Sequence, residues 1–94
     1  MELYDIKVSI AKNLVKLDSI GKSLDLDGKK KQIAANNAAM SHPDFWNDQK
    51  AAQKLIRETN QMKALADAYD ALMSELNDLN DSVAELSTTF DQDM

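Results

Sequence analysis

Residues 55–86 read LIRETNQMKALADAYDALMSELNDLNDSVAEL, and the spacing of their apolar side chains decides the fold. Two sets of apolar residues repeat every seven positions, the second at an offset of three from the first. The first set is Leu55, Met62, Tyr69, Leu76 and Val83, and the second is Leu65, Leu72, Leu79 and Leu86. Apolar residues at the a and d positions of a heptad pack against a facing helix. The stretch therefore predicts one long, coiled-coil-like helix over residues 47–87.

Two shorter helices are predicted before this long one. Residues 3–20 carry a stripe with helical spacing, made of Leu3, Ile6, Ile10, Leu14, Leu17 and Ile20. Gly21 follows, where a helix stop is favoured. A second helix over residues 25–41 has Asp25 as a possible cap and ends before Pro43, which cannot continue the hydrogen-bond ladder. We therefore expect a single all-α domain over residues 1–94, an antiparallel three-helix bundle with a long, coiled-coil-like third helix.

The composition is typical of a folded helical protein and bears on its cellular compartment and its partners. Hydrophobic residues make up 44% of the 94 residues and charged residues 29%, with 2 Gly, 1 Pro and no Cys. The lack of cysteine fits a reducing compartment, and no apolar run approaches the roughly 20 residues needed to cross a bilayer. The net charge is -5, and residues 51–94 hold 9 acidic residues against 3 basic ones. We expect a cytoplasmic protein that does not bind nucleic acid directly, because phosphates would be repelled.

The residue types needed for catalysis or for holding a cofactor are missing from the sequence. His42 is the only histidine, and no cysteine is present to join it in a metal site. Asp78, Asn80 and Ser82 alternate as in a calcium loop, but the loop glycine and the final bidentate glutamate are absent. The sequence predicts no enzyme, no cofactor and no metal.

Three groups of residues are candidates for contacts. Phe45 and Trp46 follow Pro43, and we expect them to form a structural anchor in which Trp46 is largely buried. The basic run Lys29, Lys30 and Lys31 is either a solvated helix face or a contact surface. The third helix is predicted to overhang the bundle as an arm whose interaction seam has no cover in this chain, so that the fragment can homodimerise through it. That seam comprises Leu72, Leu76, Leu79, Val83 and Leu86.

A family resemblance rests on residues 23–53. The segment contains Ser23-Leu24-Asp25-Leu26, then Lys30, Ile33 and Met40, then Pro43-Asp44-Phe45-Trp46-Asn47-Asp48 and Ala52-Gln53. It resembles the N-terminal domain of the bacterial peptide chain release factor 2 family, whose members are class I release factors. The resemblance runs in register along nearly all of the chain. It implies that residues 1–94 are the N-terminal fragment of a longer protein.

The resemblance implies a docking role in translation termination. The first domain of these factors contacts the stalk base of the large ribosomal subunit and is met by the class II release factor GTPase. The tripeptides Ser-Pro-Phe and Gly-Gly-Gln, which lie in later domains of the family, do not occur here. The alternative is a free-standing cytosolic coiled-coil adaptor or small chaperone that clamps partner helices along residues 65–86. A reading frame that continues past Met94 into a Gly-Gly-Gln segment would favour the first interpretation.

Overall fold

A computed structural model describes the backbone of residues 2–93 and the side chains as far as Thr88. Within that range every regular element is helical: α1 spans Leu3–Ser23, α2 spans Leu26–Met40, a short 3-10 helix spans Pro43–Asn47, and α3 spans Gln49–Asp93. The predicted all-α class is confirmed. The helix α3 continues past residue 87, where the sequence predicted its end.

The helices form two compact units. Unit 1 combines residues 1–23 with residues 70–94, which places α1 together with the second half of α3. Unit 2 comprises residues 24–69, which are α2, the 3-10 helix and the first half of α3. The sequence predicted that the second half of α3 overhangs as an arm without a partner in this chain. That prediction is wrong, because α1 shares a compact unit with it.

In unit 1, α1 buries one face and exposes the other. Ile10, Leu17 and Gly21 are buried, whereas the Ile20 side chain is 50% exposed. The predicted stripe therefore matches the buried face as far as Leu17. The buried face then continues through Gly21, one helical turn from Leu17. Gly21 does not stop the helix, since α1 runs on to Ser23 and no described glycine has a positive φ.

In unit 2, the start of α2 is fixed by the predicted cap. Asp25 adopts the left-handed conformation with φ 51° and ψ 54°, and the Gly28 amide donates a 3.3 Å hydrogen bond to its Oδ1. A side chain at position 28 would occupy the space of that carboxylate. Gly28 therefore makes room for the cap, and aspartate is one of the few residues besides glycine that tolerate this backbone.

The connection between α2 and α3 reverses the chain within eight residues, 41–48. His42 is extended, with φ −75° and ψ 135°, as the residue before a proline should be. The 3-10 helix packs against α2. The Asp48 Oδ1 accepts a 3.1 Å hydrogen bond from the Ala51 amide, so Asp48 caps α3. The sequence predicted that this helix begins at residue 47, two residues before its observed start at Gln49.

The buried face of α3 differs from the predicted seam. Its most buried side chains in unit 2 are Ala52, Thr59 and Ala66, which repeat every seven residues. The same period continues in unit 1 through Met73, Asn80 and Ser87, which are half-buried. The first predicted set also faces inward, but the second set, Leu65, Leu72, Leu79 and Leu86, is exposed. The predicted heptad period is correct, but the two sets do not share one face, because the first set turns inward and the second set faces outward.

Candidate docking surface

A buried chain of hydrogen bonds joins α2 to α3 in unit 2. The Asn36 Nδ2 donates to the Thr59 Oγ1 at 2.9 Å, and the Thr59 hydroxyl donates to the Leu55 carbonyl at 2.7 Å. The Gln32 Nε2 donates to the Asn36 Oδ1 at 2.8 Å. Asn36 and Thr59 are the buried polar residues in the described part of the chain. Because buried polar groups are costly when unpaired, these hydrogen bonds fix which turn of α2 faces which turn of α3.

Beside these hydrogen bonds, an open cleft of about 510 Å³ lies between α2 and α3. Its lining combines apolar side chains with amides and one charge of each sign. The lining residues are Leu55, Met62, Leu65, Gln32, Asn36, Gln61, Lys29 and Glu58. The carboxylate of Glu58 already lies 3.9 Å from the Lys54 ammonium on the surface of α3. The cleft is partly open to solvent, and its lining residues include no histidine and only one carboxylate.

The aromatic turn presents Trp46 to solvent. The prediction that Trp46 is largely buried is wrong, because its side chain is 58% exposed, whereas Phe45 is half-buried. Successive residues of a 3-10 helix point about 120° apart, so two neighbours cannot both face the interior. The two rings meet edge to face, with centroids 4.8 Å apart and an interplanar angle of 82°. Phe45 is the more buried of the two residues, and the exposed Trp46 ring packs on it.

The basic run at the start of α2 does not present three equivalent lysines. The Lys29 side chain is half-buried, and its ammonium donates to the Leu24 carbonyl. Lys30 and Lys31 are exposed. Lys29 thus stabilises the turn between α1 and α2, and a contact role for the run stays a prediction.

The predicted interaction seam of α3 is divided between the interior and the surface of unit 1. Val83 is buried and Leu76 is half-buried, so neither offers a free contact surface. The other three leucines are 48%, 49% and 60% exposed. They are Leu72, Leu79 and Leu86, and we call them the leucine stripe. Residues seven apart lie on one side of a helix, so the stripe forms one ridge along α3.

One acidic residue, Glu75, borders the leucine stripe. Glu75 is three residues after Leu72 and four before Leu79, so its carboxylate lies between them on the helix surface. Asp78 lies one turn further along α3 and points away from the stripe, and both acids are exposed. Residues 64–94 contain 8 acidic residues and no lysine or arginine. The stripe is therefore an apolar ridge in a negative field.

The described residues offer little else that could form a chemical site. No group of three or more His, Asp or Glu side chains among them could hold a metal ion. His42 is exposed. None of the helices in the described range combines the length and the hydropathy that crossing a membrane requires.

Comparison with known proteins identifies the family. The profile of the PCRF domain matches residues 29–94, which is more than two thirds of the chain. The chain therefore belongs to the PCRF domain family.

The relatives named peptide chain release factor 2 extend the match to the whole chain. The chain is 36% identical over 94 residues to the Staphylococcus aureus protein, 35% to that of Staphylococcus epidermidis and 37% to that of Listeria innocua. Each match covers 100% of this chain and 25–26% of the relative, so the chain spans about a quarter of the length of these relatives. The resemblance to release factor 2 is confirmed. No solved structure matches the chain.

Proposed function

We propose that this chain is the N-terminal docking domain of a translation termination factor. It contacts the stalk base of the large ribosomal subunit and is met by the class II release factor GTPase. It acts in the cytoplasm, and it neither reads stop codons nor hydrolyses peptidyl-tRNA. The observation that carries the proposal is the 35–37% identity to peptide chain release factor 2 over the full length of this chain.

The geometry supports docking over chemistry. Large apolar side chains are exposed at several places on the surface of the described residues, among them the leucine stripe, Trp46, Tyr4 and Val15. Exposed large apolar side chains in a row mark contacts with other proteins. The excess of acid in residues 64–94 opposes direct contact between this part of α3 and nucleic acid phosphates. We therefore infer that proteins, rather than ribosomal RNA, meet the second half of α3.

Cosedimentation with purified large ribosomal subunits tests this function. The chain should pellet with intact subunits and should lose most of that binding when the stalk-base proteins have been removed. Readdition of those proteins should restore it. A matched comparison uses small subunits at the same concentration, which should leave the chain in the supernatant.

Two outcomes would count against the proposal. Equal binding to intact and stripped large subunits would place the contact elsewhere on the ribosome. No binding to either would favour the free-standing adaptor, for which residues 65–86 would be the clamping surface.

A further inference from the structure

We propose that the outer face of the first half of α3 contacts the phosphate backbone of a folded RNA. Three basic and three amide side chains make up this face, which we call the basic face. They are Lys50, Lys54, Arg57, Gln53, Asn60 and Gln61. The inference rests on the proposed function for its setting, the large ribosomal subunit, and adds a surface and the chemical group that the surface recognises.

The basic face lies on the side of α3 that turns away from the interior of unit 2. The most buried positions of this half of the helix are Ala52, Thr59 and Ala66. At about 100° per residue, Lys50 and Arg57 lie roughly 160–180° around the helix from Thr59. All six members of the basic face are exposed. An open groove of about 450 Å³ runs along it, lined by Gln53, Ile56, Arg57, Asn60, Gln61 and Ala64.

The charge of α3 changes sign along its length. Residues 49–63 hold 4 basic residues and 1 acidic residue, a net charge of +3, whereas residues 64–94 hold 8 acidic residues and no basic one. Salt at physiological strength screens exposed charges beyond about 8 Å. The first acid of the second half, Asp67, is roughly 15 Å along the helix from Arg57. The acidic residues of the second half therefore do not cancel the charge of the basic face.

Two carboxylates lie close to the basic face, and neither neutralises its centre. Asp48 caps the start of α3, and Glu58 lies 3.9 Å from the Lys54 ammonium. Within the described residues, no ion pair or hydrogen bond engages the side chains of Lys50 and Arg57. These two cations therefore carry the positive charge of the face.

The stability of the helix does not account for these charges. Lys50 lies in the first turn of α3, where the positive end of the helix dipole disfavours a cation. Lys54 precedes Glu58 by four residues, which is the weaker order for such an ion pair, and exposed pairs contribute little. A contact with an anionic partner accounts for the basic residues at these positions.

The chemistry of the face fits an RNA backbone better than a protein. Protein interfaces are built around large apolar or aromatic anchors, but the apolar residues of the groove are the small Ala64 and the half-buried Ile56. Arginine binds phosphate through two parallel hydrogen bonds, and amide side chains donate to phosphate and sugar oxygens. Cover by another protein segment would bury Lys50 and Arg57, which is costly unless carboxylates pair with them.

Binding of the full chain to a model RNA tests this chemistry without ribosomes. The probe is a labelled hairpin with a stem of about 16 base pairs, and the comparison is labelled polyglutamate of equal charge. Fluorescence anisotropy in about 50 mM salt should show a dissociation constant of about 1 mM or below for the hairpin. Binding should weaken about tenfold when the salt is raised to about 150 mM. Polyglutamate should bind at least about fivefold more weakly, because it offers no phosphate for the arginine fork.

Charge reversal localises the contact. Lys50→Glu combined with Arg57→Glu should weaken hairpin binding by about tenfold or more and lower the salt dependence by about two phosphate contacts. Circular dichroism should show an unchanged helix content, because glutamate in the first turn suits the helix dipole. The matched control combines Lys16→Glu with Lys63→Glu, which makes the same total charge change at exposed positions outside the basic face. It should weaken binding by less than about threefold.

Large ribosomal subunits place the contact in its setting. Three basic residues make a weak contact, so the protein contacts of the proposed function still supply most of the affinity. Hydroxyl-radical cleavage of subunits with the chain bound should show a protected stretch of ribosomal RNA backbone. The double reversal should lose that protection, and the control should keep it. The same reversal in a complete release factor that carries residues 1–94 should also remove the protection.

Four results would overturn the inference. The first is equal binding of the hairpin and polyglutamate, or no binding of the hairpin. The second is a control variant that loses as much as the double reversal, which would assign the effect to total charge. The third is a reversal that weakens subunit binding without changing RNA protection, which would assign the face to an acidic protein. The fourth is a reversal that affects the chain but not the complete factor, which would show that a later segment covers the face. A chain that binds the hairpin but does not pellet with large subunits would count against the proposed function alone.

Discussion

Leu17→Ala should lower the free energy of unfolding by about 3 kcal/mol. Leu17 is buried in unit 1, and its truncation leaves a cavity that a thin helical core closes poorly. For a chain of this size the melting temperature should fall by about 10–20 °C. Thermal unfolding followed by circular dichroism at 222 nm measures the change.

Ile20→Ala is the matched control on the same helix. The Ile20 side chain is 50% exposed, and alanine has the higher helix propensity, so the loss should stay below about 1 kcal/mol. The sequence alone assigns both residues to one buried stripe and predicts similar losses. Equal destabilisation by the two variants would show that α1 turns Ile20 toward the interior and would contradict the described packing.

Thr59→Val should destabilise unit 2 by about 1–3 kcal/mol, because the Asn36 amide would lose its acceptor while it stays buried. Asn36→Leu should cost less, since Thr59 would keep its hydrogen bond to the Leu55 carbonyl and Gln32, which is exposed, could turn to water. Chemical denaturation of the wild type and both variants gives the two values.

The double variant completes the cycle. With Asn36→Leu and Thr59→Val together, no amide remains unpaired at the contact, so stability should return to within about 1 kcal/mol of the wild type. A double variant whose loss equals the sum of the two single losses would show that the two side chains are not coupled. The hydrogen bond between them would then not be what fixes the pairing of α2 with α3.

Much of the fold could be predicted because its signals are local. The heptad period reveals α3, and Pro43 marks the end of α2 before the reversal. Asp25 caps α2 as its residue type suggests. Each of these features depends on a few neighbouring residues and on the geometry of one helix, which the sequence displays directly.

The rotation of α3 could not be predicted in this way. The a and d pattern places Leu65 and Leu72 on one face with the first apolar set, but the positions of the same heptads that turn inward hold Ala66 and Met73. In unit 2, the small side chains of Ala52, Thr59 and Ala66 occupy the most buried positions of α3. A leucine at these positions would hold a neighbouring helix further away. Seven-residue spacing of small residues is the signal that could have revealed this face.

The surface features were missed for a related reason. The sequence predicts a buried Trp46 because large aromatic side chains are usually buried, yet its 3-10 helix can turn only one of two adjacent rings inward. The sequence assigns the leucine stripe, Leu76 and Val83 to one interaction seam. The separation of the stripe from Leu76 and Val83 depends on α1, which is distant in sequence. Long-range packing of this kind decides which residues of an apolar pattern are buried and which stay exposed.

Exchange of this chain into a complete release factor tests the central claim most directly. In the Listeria innocua release factor 2, the matching segment would be replaced by residues 1–94, and multiple-turnover peptide release on stop-codon ribosomes would be measured with the class II factor present. A truncated factor without the segment should turn over slowly, and the chimera should restore most of the rate of the intact protein. A chimera no faster than the truncated factor would contradict a docking role in termination.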